Sequence, residues 1–128
     1  RNILMPTRAT LGSAGFDLYS PVNCILIPNV PATVATGIAI YLPRKTMAKI
    51  ESRSSFASRG VLVLGGVIDS DYEGEVGVML LNLSRQPITI LKNEPFAQII
   101  VSPVIIPVGL TDLSGFGIRG AGGFGSTN

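Results

Sequence analysis

Residues that could act on a small ligand are concentrated at positions 65–74, where two glycines open the stretch and one closes it. Between these glycines, Asp69 and Tyr72 stand three residues apart. Glycine lets a ligand approach the backbone closely because it has no Cβ. A carboxylate can serve as a base, and an aromatic ring can serve as a stacking surface. The stretch therefore predicts a β-hairpin with either a ligand-binding tip or an ordinary polar turn.

A second group of candidates is Arg53, Ser54 and Ser55, which stand where a short helical segment is predicted to begin. One guanidinium, two hydroxyls and the N–H groups of a helix start are typical of a phosphate site. The alternative is a surface turn with a helix cap. Position 60 is glycine, which predicts a glycine cap after one or two helical turns.

The end of the chain has a different composition, with six glycines in residues 114–128. So much glycine cannot hold a fixed shape alone. The same segment carries Arg119, Phe124, Ser126 and Thr127, which could bind an anion and cover a planar group. Its composition fits a disordered tail and a lid equally well.

Composition excludes several kinds of chemistry. The chain of 128 residues has no histidine and one cysteine, so a histidine base, a Ser-His-Asp triad, an internal disulfide and a thiolate zinc site are absent. Cys24 lies in an apolar run and is predicted to be a small buried hydrophobe rather than a nucleophile. Any catalytic base is therefore expected among the eight acidic residues.

The balance of apolar and charged residues predicts association between copies of the chain. Hydrophobic residues make up 46% and charged residues 14%, against about 25% charged in an average soluble domain. We therefore expect a homo-oligomer. The net charge of +2 does not favour a nucleic-acid partner. No apolar run reaches the roughly 18 residues of a membrane helix, and no signal peptide is visible, so no membrane partner is expected.

Short alternating segments separated by glycine and proline predict an all-β domain spanning residues 1–128, either a sandwich, a barrel or a jelly roll. The predicted strands are 14–19, 22–27, 32–42, 47–51, 61–64, 75–83, 88–91 and 96–108. The segments 61–64 and 75–83 flank the stretch with Asp69 and are predicted to pair as its hairpin.

Five segments in order resemble the five motifs of the trimeric dUTP pyrophosphatase (dUTPase) family. They are AGFDL at 14–18, RSSFA at 53–57, GVIDSDYEG at 66–74, FAQI at 96–99 and RGAGGFGST at 119–127. The resemblance implies a jelly-roll-like dUTPase fold with one short helix. It also implies a homotrimer in which a glycine-rich C-terminal arm, residues 115–128, closes a neighbouring subunit's site. The hairpin, the serine-containing turn and the arm of each site would come from three different chains.

The resemblance further implies hydrolysis of dUTP to dUMP and pyrophosphate, which keeps uracil out of DNA and supplies dUMP for thymidylate synthesis. Asp69 would activate the attacking water, and Asp17 would contact Mg²⁺ through water. Uracil and deoxyribose would contact Gly66, Val67, Ile68, Tyr72, Gly77 and Phe124. The phosphates would contact Arg53, Ser54, Ser55, Gln98, Arg119, Ser126 and Thr127.

A few positions depart from the family pattern, and they leave alternatives open. Ser55 and Asn128 replace the usual glycines, and Pro95 replaces a frequent basic residue. The short spacing from Arg53 to Asp69 resembles that of retrovirus-encoded members. Since no membrane segment or signal peptide is visible, the expected location is either intracellular or virion-associated, and the sequence does not decide between them. The alternatives are a dCTP deaminase on the same fold and a non-catalytic relative that binds proteins.

Overall fold

The computed structural model describes residues 3–115 of the chain, and β-strands dominate this part. The strands are β1 (Phe16–Tyr19), β2 (Cys24–Leu26), β3 (Ala32–Ala35), β4 (Thr46–Ser52), β5 (Val61–Leu64), β6 (Val67–Asp69), β7 (Gly77–Asn82), β8 (Ile88–Ile90) and β9 (Pro95–Pro103). One helix, α1 (Ser54–Ala57), follows β4, and a 3₁₀ turn covers Leu113–Gly115. The prediction of an all-β fold with one short helix is therefore confirmed.

The strands form three antiparallel sheets. The largest has the order β1-β9-β4-β6, the second has the order β3-β7-β5, and β2 pairs with β8. The longest ladder joins β4 to β9, where seven residues of each strand face one another. This ladder is central to the largest sheet because β1 pairs with the other edge of β9 and β6 with the other edge of β4.

Alternating apolar residues build the core between the sheets. Ala48 and Ile50 of β4 and Val78 and Leu80 of β7 are buried at every second position, as a strand with one buried face requires. A bulge breaks this alternation in β9, where Leu18 faces Ala97 but Tyr19 faces Pro95. The extra residue is Phe96, which is buried beside Ala97.

The predicted hairpin is present, but its tip has its own strand. Strands β5 and β7 pair antiparallel, as predicted. Between them the chain leaves this sheet, and β6 pairs with β4 of the largest sheet. Gly65 and Gly66 make this change of direction with φ of +65° and +96°. A Cβ at Gly66 would lie 2.8 Å from the carbonyl oxygen of Ile50, so only glycine fits there.

Two predicted strands are too long, and one cap differs. Segment 32–42 forms only β3, because the hydroxyl of Thr36 bonds to Val76 and Gly37 adopts φ +76°. Segment 96–108 ends as a strand at Pro103. Ser58 caps α1 in a right-handed conformation, and the predicted glycine, Gly60, takes its positive φ two residues later.

None of the helices in the described range 3–115 has the length and apolar character needed to cross a bilayer.

Asn82, at the end of β7, joins two sheets through a fully buried side chain. Its amide nitrogen donates to the carbonyl oxygens of Leu26 and Gln86, at 2.9 and 2.8 Å. Its amide oxygen accepts from the backbone N–H and the hydroxyl of Ser84, at 2.9 and 2.7 Å. All four hydrogen-bonding positions of the amide are occupied, so the side chain connects β7 to β2 and to the loop before β8.

We expect Asn82→Asp to destabilise the fold by about 3 kcal/mol, because a buried carboxylate cannot donate to the buried carbonyl oxygen of Leu26 or to the partly buried one of Gln86. The measurement is the midpoint of urea unfolding. The control is Asn23→Asp, the same substitution at an exposed site where Oδ1 accepts a hydrogen bond from the backbone N–H of Lys92, a role a carboxylate keeps. Equal midpoints for the two variants would contradict a structural role for the Asn82 amide.

Candidate active site

The segment between β5 and β7 forms one wall of a cavity of about 260 Å³, called here the hairpin cavity. Its lining includes Asp69 and Tyr72, so the structure brings the candidate base and the candidate stacking ring together. The full lining is Ile50, Gly66, Val67, Ile68, Asp69, Tyr72, Glu75, Val76 and Gly77. All the residues of 66–77 that were predicted to contact the nucleoside or the attacking water therefore face one space.

Asp69 is positioned by sheet pairing rather than by a loop. It is the last residue of β6 and lies opposite Met47 of β4. Its backbone oxygen accepts a hydrogen bond from the N–H of Tyr72 at 3.1 Å, which closes a tight turn directly after the strand. Its side chain is exposed, and within residues 3–115 its carboxylate accepts no hydrogen bond. The carboxylate is therefore available to a water molecule in the cavity.

A second cavity of about 260 Å³, called here the arginine cavity, lies beside the start of α1. It contains four of the predicted site residues, Asp17, Arg53, Ser54 and Gln98. The loop before β1 supplies the opposite wall with Ala9, Ser13, Ala14 and Gly15. Sequence reasoning placed Ala14 and Gly15 in a family motif but assigned them no contact, and it did not select Ala9 or Ser13.

Arg53 is held in place by two contacts before any ligand binds. Its Nε lies 3.1 Å from Oδ1 of Asp17, in an ion pair whose side chains are 32% and 18% exposed. One terminal nitrogen donates to the carbonyl oxygen of Pro95 at 3.4 Å. Pro95 was noted as a departure from the family pattern, and the structure gives its carbonyl group a role. These contacts leave the remaining guanidinium N–H groups for an anion.

Gln98 of β9 lies between two acidic residues across the sheet, because Asp17 of β1 and Glu51 of β4 are its partners on either side. Its amide nitrogen donates to the carbonyl oxygen of Ser52 at 3.2 Å. Its amide oxygen lies against Gly15, where an added Cβ would be only 2.6 Å away. Glycine at this position therefore makes room for the Gln98 amide at the edge of the cavity.

The structure does not place all predicted residues in one site. The hairpin cavity and the arginine cavity have no lining residue in common. Ser55 lies on α1, is exposed and lines neither cavity. No side-chain cap bond is formed at the start of α1, so the alternative of a helix cap at Arg53 finds no support.

Four predicted contacts lie outside the described residues, namely Arg119, Phe124, Ser126 and Thr127. No group of three potential His, Cys, Asp or Glu metal ligands occurs within positions 3–115.

Cys24 is partly buried and packs against the core, as predicted. Burial raises the pKa of the Cys24 thiol, so the thiol is protonated at neutral pH, as expected of a small packed side chain.

Comparison with known proteins identifies the family. The dUTPase family model matches residues 1–128. The deoxyuridine 5'-triphosphate nucleotidohydrolase of a Wolbachia strain from Drosophila simulans is 42% identical over 135 residues, covering 98% of this chain and 88% of the relative.

Solved structures support the same fold. A native EIAV dUTPase superposes with a TM-score of 0.78 at 24% identity, covering 88% of this chain and 95% of the other. A mutant dUTPase from Staphylococcus aureus phage phi11, described as coordinating a structural Mg(II) ion, gives 0.77 at 22% identity, with coverages of 87% and 90%. The five motifs, the fold and these matches agree, and the chain belongs to the dUTPase family of enzymes that hydrolyse dUTP.

Proposed function

We propose that this chain hydrolyses dUTP to dUMP and pyrophosphate, with Asp69 activating the water that attacks the α-phosphorus in line. One observation carries the proposal. The exposed carboxylate of Asp69 and the ring of Tyr72 line the same cavity as Gly66, which precedes β6, and Gly77, which begins β7. The nucleotidohydrolase activity of the 42% identical relative supports dUTP as the substrate.

The nucleoside would bind in the hairpin cavity. Backbone groups of Gly66, Val67, Ile68 and Gly77 would form hydrogen bonds with the edge of uracil. These four residues line the cavity, and the missing Cβ of Gly66 lets its backbone pack directly against Ile50, which fixes the position of the peptide groups that would face the base. A C5 methyl group would clash there, which would exclude thymine more strongly than a missing contact could. The Tyr72 ring would pack under deoxyribose and leave no space for a ribose 2'-hydroxyl.

The phosphates would bind in the arginine cavity. Arg53, Ser54 and Gln98 offer a guanidinium, a hydroxyl and an amide in one space. The ion pair with Asp17 orients the guanidinium, so less side-chain freedom is lost when the phosphates bind. Ser55 would contribute from α1. The arm, residues 115–128, would complete the site, with Phe124 over uracil and Arg119, Ser126 and Thr127 on the phosphates.

The donor groups of this cavity fit a Mg²⁺ ion that is held mainly by the substrate. Asp17 uses Oδ1 for Arg53, so Oδ2 can accept a hydrogen bond from a metal-bound water. Without three carboxylate or imidazole ligands in residues 3–115, the described protein alone would hold Mg²⁺ weakly, and triphosphate oxygens and water would supply the other ligands. Bound Mg²⁺ would neutralise the charge that develops on the phosphate oxygens.

We further propose a homotrimer whose sites are shared between subunits. The separation of the nucleoside residues from the phosphate residues supports this assembly, because a closed ring can bring different patches of neighbouring copies together. Large apolar side chains that are almost fully exposed also favour burial against another copy, including Tyr41 (96%), Ile105 (91%) and Leu110 (90%).

The first prediction concerns the reaction. With Mg²⁺, the chain should release pyrophosphate from dUTP, whereas release from dTTP, dCTP and UTP should be too slow to detect at the same enzyme concentration. Asp69→Asn should lower kcat by about 10²–10⁴-fold, because an amide cannot take a proton from water. Asp71→Asn, the same change at an exposed carboxylate two residues away, should leave kcat unchanged. An equal loss of kcat in both variants would show that activity depends on the local negative charge and not on the position of the Asp69 carboxylate.

The second prediction concerns shared sites. Asp69→Asn and Arg53→Ala chains, each inactive alone, should regain activity when they are unfolded, mixed and refolded together. After random refolding of an equimolar mixture, about one site in four of all trimers would combine a normal hairpin with a normal arginine turn. Sedimentation should show about three chains per particle. A mixture that stays inactive, or a clean monomer, would contradict sites built from different chains.

The third prediction concerns the contact between Asp17 and Mg²⁺. Asp17→Asn should raise the Mg²⁺ concentration for half-maximal activity about tenfold or more, because a neutral amide orients metal-bound water less strongly than a carboxylate. Asp112→Asn, at an exposed position outside both cavities, is the control. If the variant loses activity by the same factor at every Mg²⁺ concentration, Asp17 acts through Arg53 alone.

A further inference from the structure

The Tyr72 ring is held by its hydroxyl group rather than by packing on both faces. Tyr72 lines both the hairpin cavity and a cavity of about 450 Å³ that is also lined by Ala39, Ile40 and Tyr41. The side chain is 46% exposed. Its hydroxyl donates to the backbone oxygen of Glu75 at 2.6 Å. Because the half-exposed ring borders two cavities, the position of the ring depends on where this oxygen lies.

Gly74 lets the ring reach that oxygen. A Cβ at position 74 would lie 2.7 Å from the Cζ atom of Tyr72 and 2.5 Å from its hydroxyl oxygen. The ring therefore folds back over the glycine backbone, and no side chain can occupy that place. The glycine permits the conformation, and the hydrogen bond to Glu75 selects it.

The peptide unit that accepts this hydrogen bond is anchored from its other side. The N–H of Val76 belongs to the same peptide unit as the Glu75 carbonyl, and it donates to the oxygen of Ile38 at 2.8 Å. The next carbonyl, that of Val76, accepts from the hydroxyl of Thr36 at 2.6 Å and from its N–H at 3.1 Å. Thr36 is 1% exposed, so these bonds are shielded from water.

The Glu75 side chain adds a further bond to the same segment. Its Oε2 accepts a hydrogen bond from the N–H of Gly37 at 2.6 Å. Glu75 therefore contacts Tyr72 through its backbone and residue 37 through its carboxylate. The segment Thr36, Gly37 and Ile38, called here the buttress, bonds to residues 75 and 76 through each of its three members.

We propose that Thr36 and Glu75 are positioning residues that determine how strongly the enzyme rejects a ribose substrate. The inference rests on the proposed function, in which Tyr72 packs under deoxyribose. A 2'-hydroxyl is rejected only while the ring stays close to the sugar, and steric selection of this kind weakens when the ring moves by a fraction of an ångström. The buttress keeps the Glu75 carbonyl, and hence the ring, in that place.

Asp69 depends much less on the buttress, because β6 is held by β4. Loss of buttress contacts should therefore change sugar selection more than it changes the chemical step. This separation distinguishes a positioning role from a general loss of structure, which would reduce the hydrolysis of every nucleotide equally.

The test compares kcat/KM for dUTP and UTP in the full chain. Thr36→Val keeps the side-chain volume but removes the hydroxyl, and it should lower the dUTP-to-UTP ratio of kcat/KM about tenfold, with kcat for dUTP changed by less than about threefold. Thr36→Ser keeps the hydroxyl and should keep the ratio. Thr89→Val, the same change on the exposed face of β8, is the matched control.

A second pair of variants tests the exposed hydrogen bond between the Glu75 carboxylate and the N–H of Gly37, where a substitution does not put folding at risk. Glu75→Ala should lower the ratio, whereas Glu75→Gln retains an acceptor for Gly37 and should preserve it. Glu73→Ala removes a neighbouring exposed carboxylate and should have no effect. Melting temperatures of all variants establish that the compared chains are folded.

A double-mutant cycle gives the decisive result. Tyr72→Phe removes the hydroxyl anchor directly, so Thr36→Val should lower the ratio little further in that background. Full additivity of the two effects, or unchanged ratios in Thr36→Val and Glu75→Ala, would overturn the inference while dUTP hydrolysis by the wild type still supports the proposed function. A wild-type chain that does not hydrolyse dUTP would overturn both.

Discussion

The pairing of β4 with β9 is the interaction on which the site depends. Seven residues of each strand face one another, and both strands carry a further strand on their outer edge. Asp17 and Gln98 face each other across the β1–β9 pair, and Arg53 directly follows β4. Asp69 ends β6, whose only partner strand within the described chain is β4. Backbone hydrogen bonds therefore set the positions of the candidate catalytic and phosphate-binding residues.

The passage of the chain between two sheets creates the candidate nucleoside site. Strands β5 and β7 belong to one sheet, and β6 between them belongs to another. The backbone at the crossing needs two consecutive positive φ values, and it comes so close to Ile50 that Gly66 cannot carry a side chain. Gly66 and Val67 line the hairpin cavity, so the crossing that the fold requires also forms part of the surface that the proposed function needs.

Polar contacts at the arginine cavity orient Arg53 although position 95 departs from the family pattern. A proline has no N–H group but keeps its carbonyl oxygen, and this oxygen accepts a hydrogen bond from Arg53. Asp17 provides the opposite charge from the neighbouring strand. Arg53 is thereby oriented by two elements, β1 and β9, that are far from it in the sequence. A basic residue at position 95 is not required for this orientation.

Local patterns in the sequence were sufficient for the fold class, for most strands and for the family. Alternation of apolar residues predicted the segments of β4, β5, β7 and β8, because a strand with one buried face has a period of two. The same rule extended β3 and β9 too far, since nothing in the alternation reveals the Thr36 hydroxyl bond or the exposure of the chain after Pro103. The five motifs identified the family because the order and spacing of residues along the chain can be read without knowing the tertiary structure.

Tertiary structure alone decided the arrangement of the site. The sequence shows Asp17, Arg53 and Gln98 as three separate motifs, and only strand pairing brings them to one cavity. It shows residues 65–74 as a hairpin tip, and only the pairing with β4 makes Val67–Asp69 a strand of another sheet. The anchoring of Tyr72 through Glu75 to Thr36 joins positions about 40 residues apart. Residue types are fixed by the sequence, whereas contacts between distant segments depend on register and packing, which local patterns do not contain.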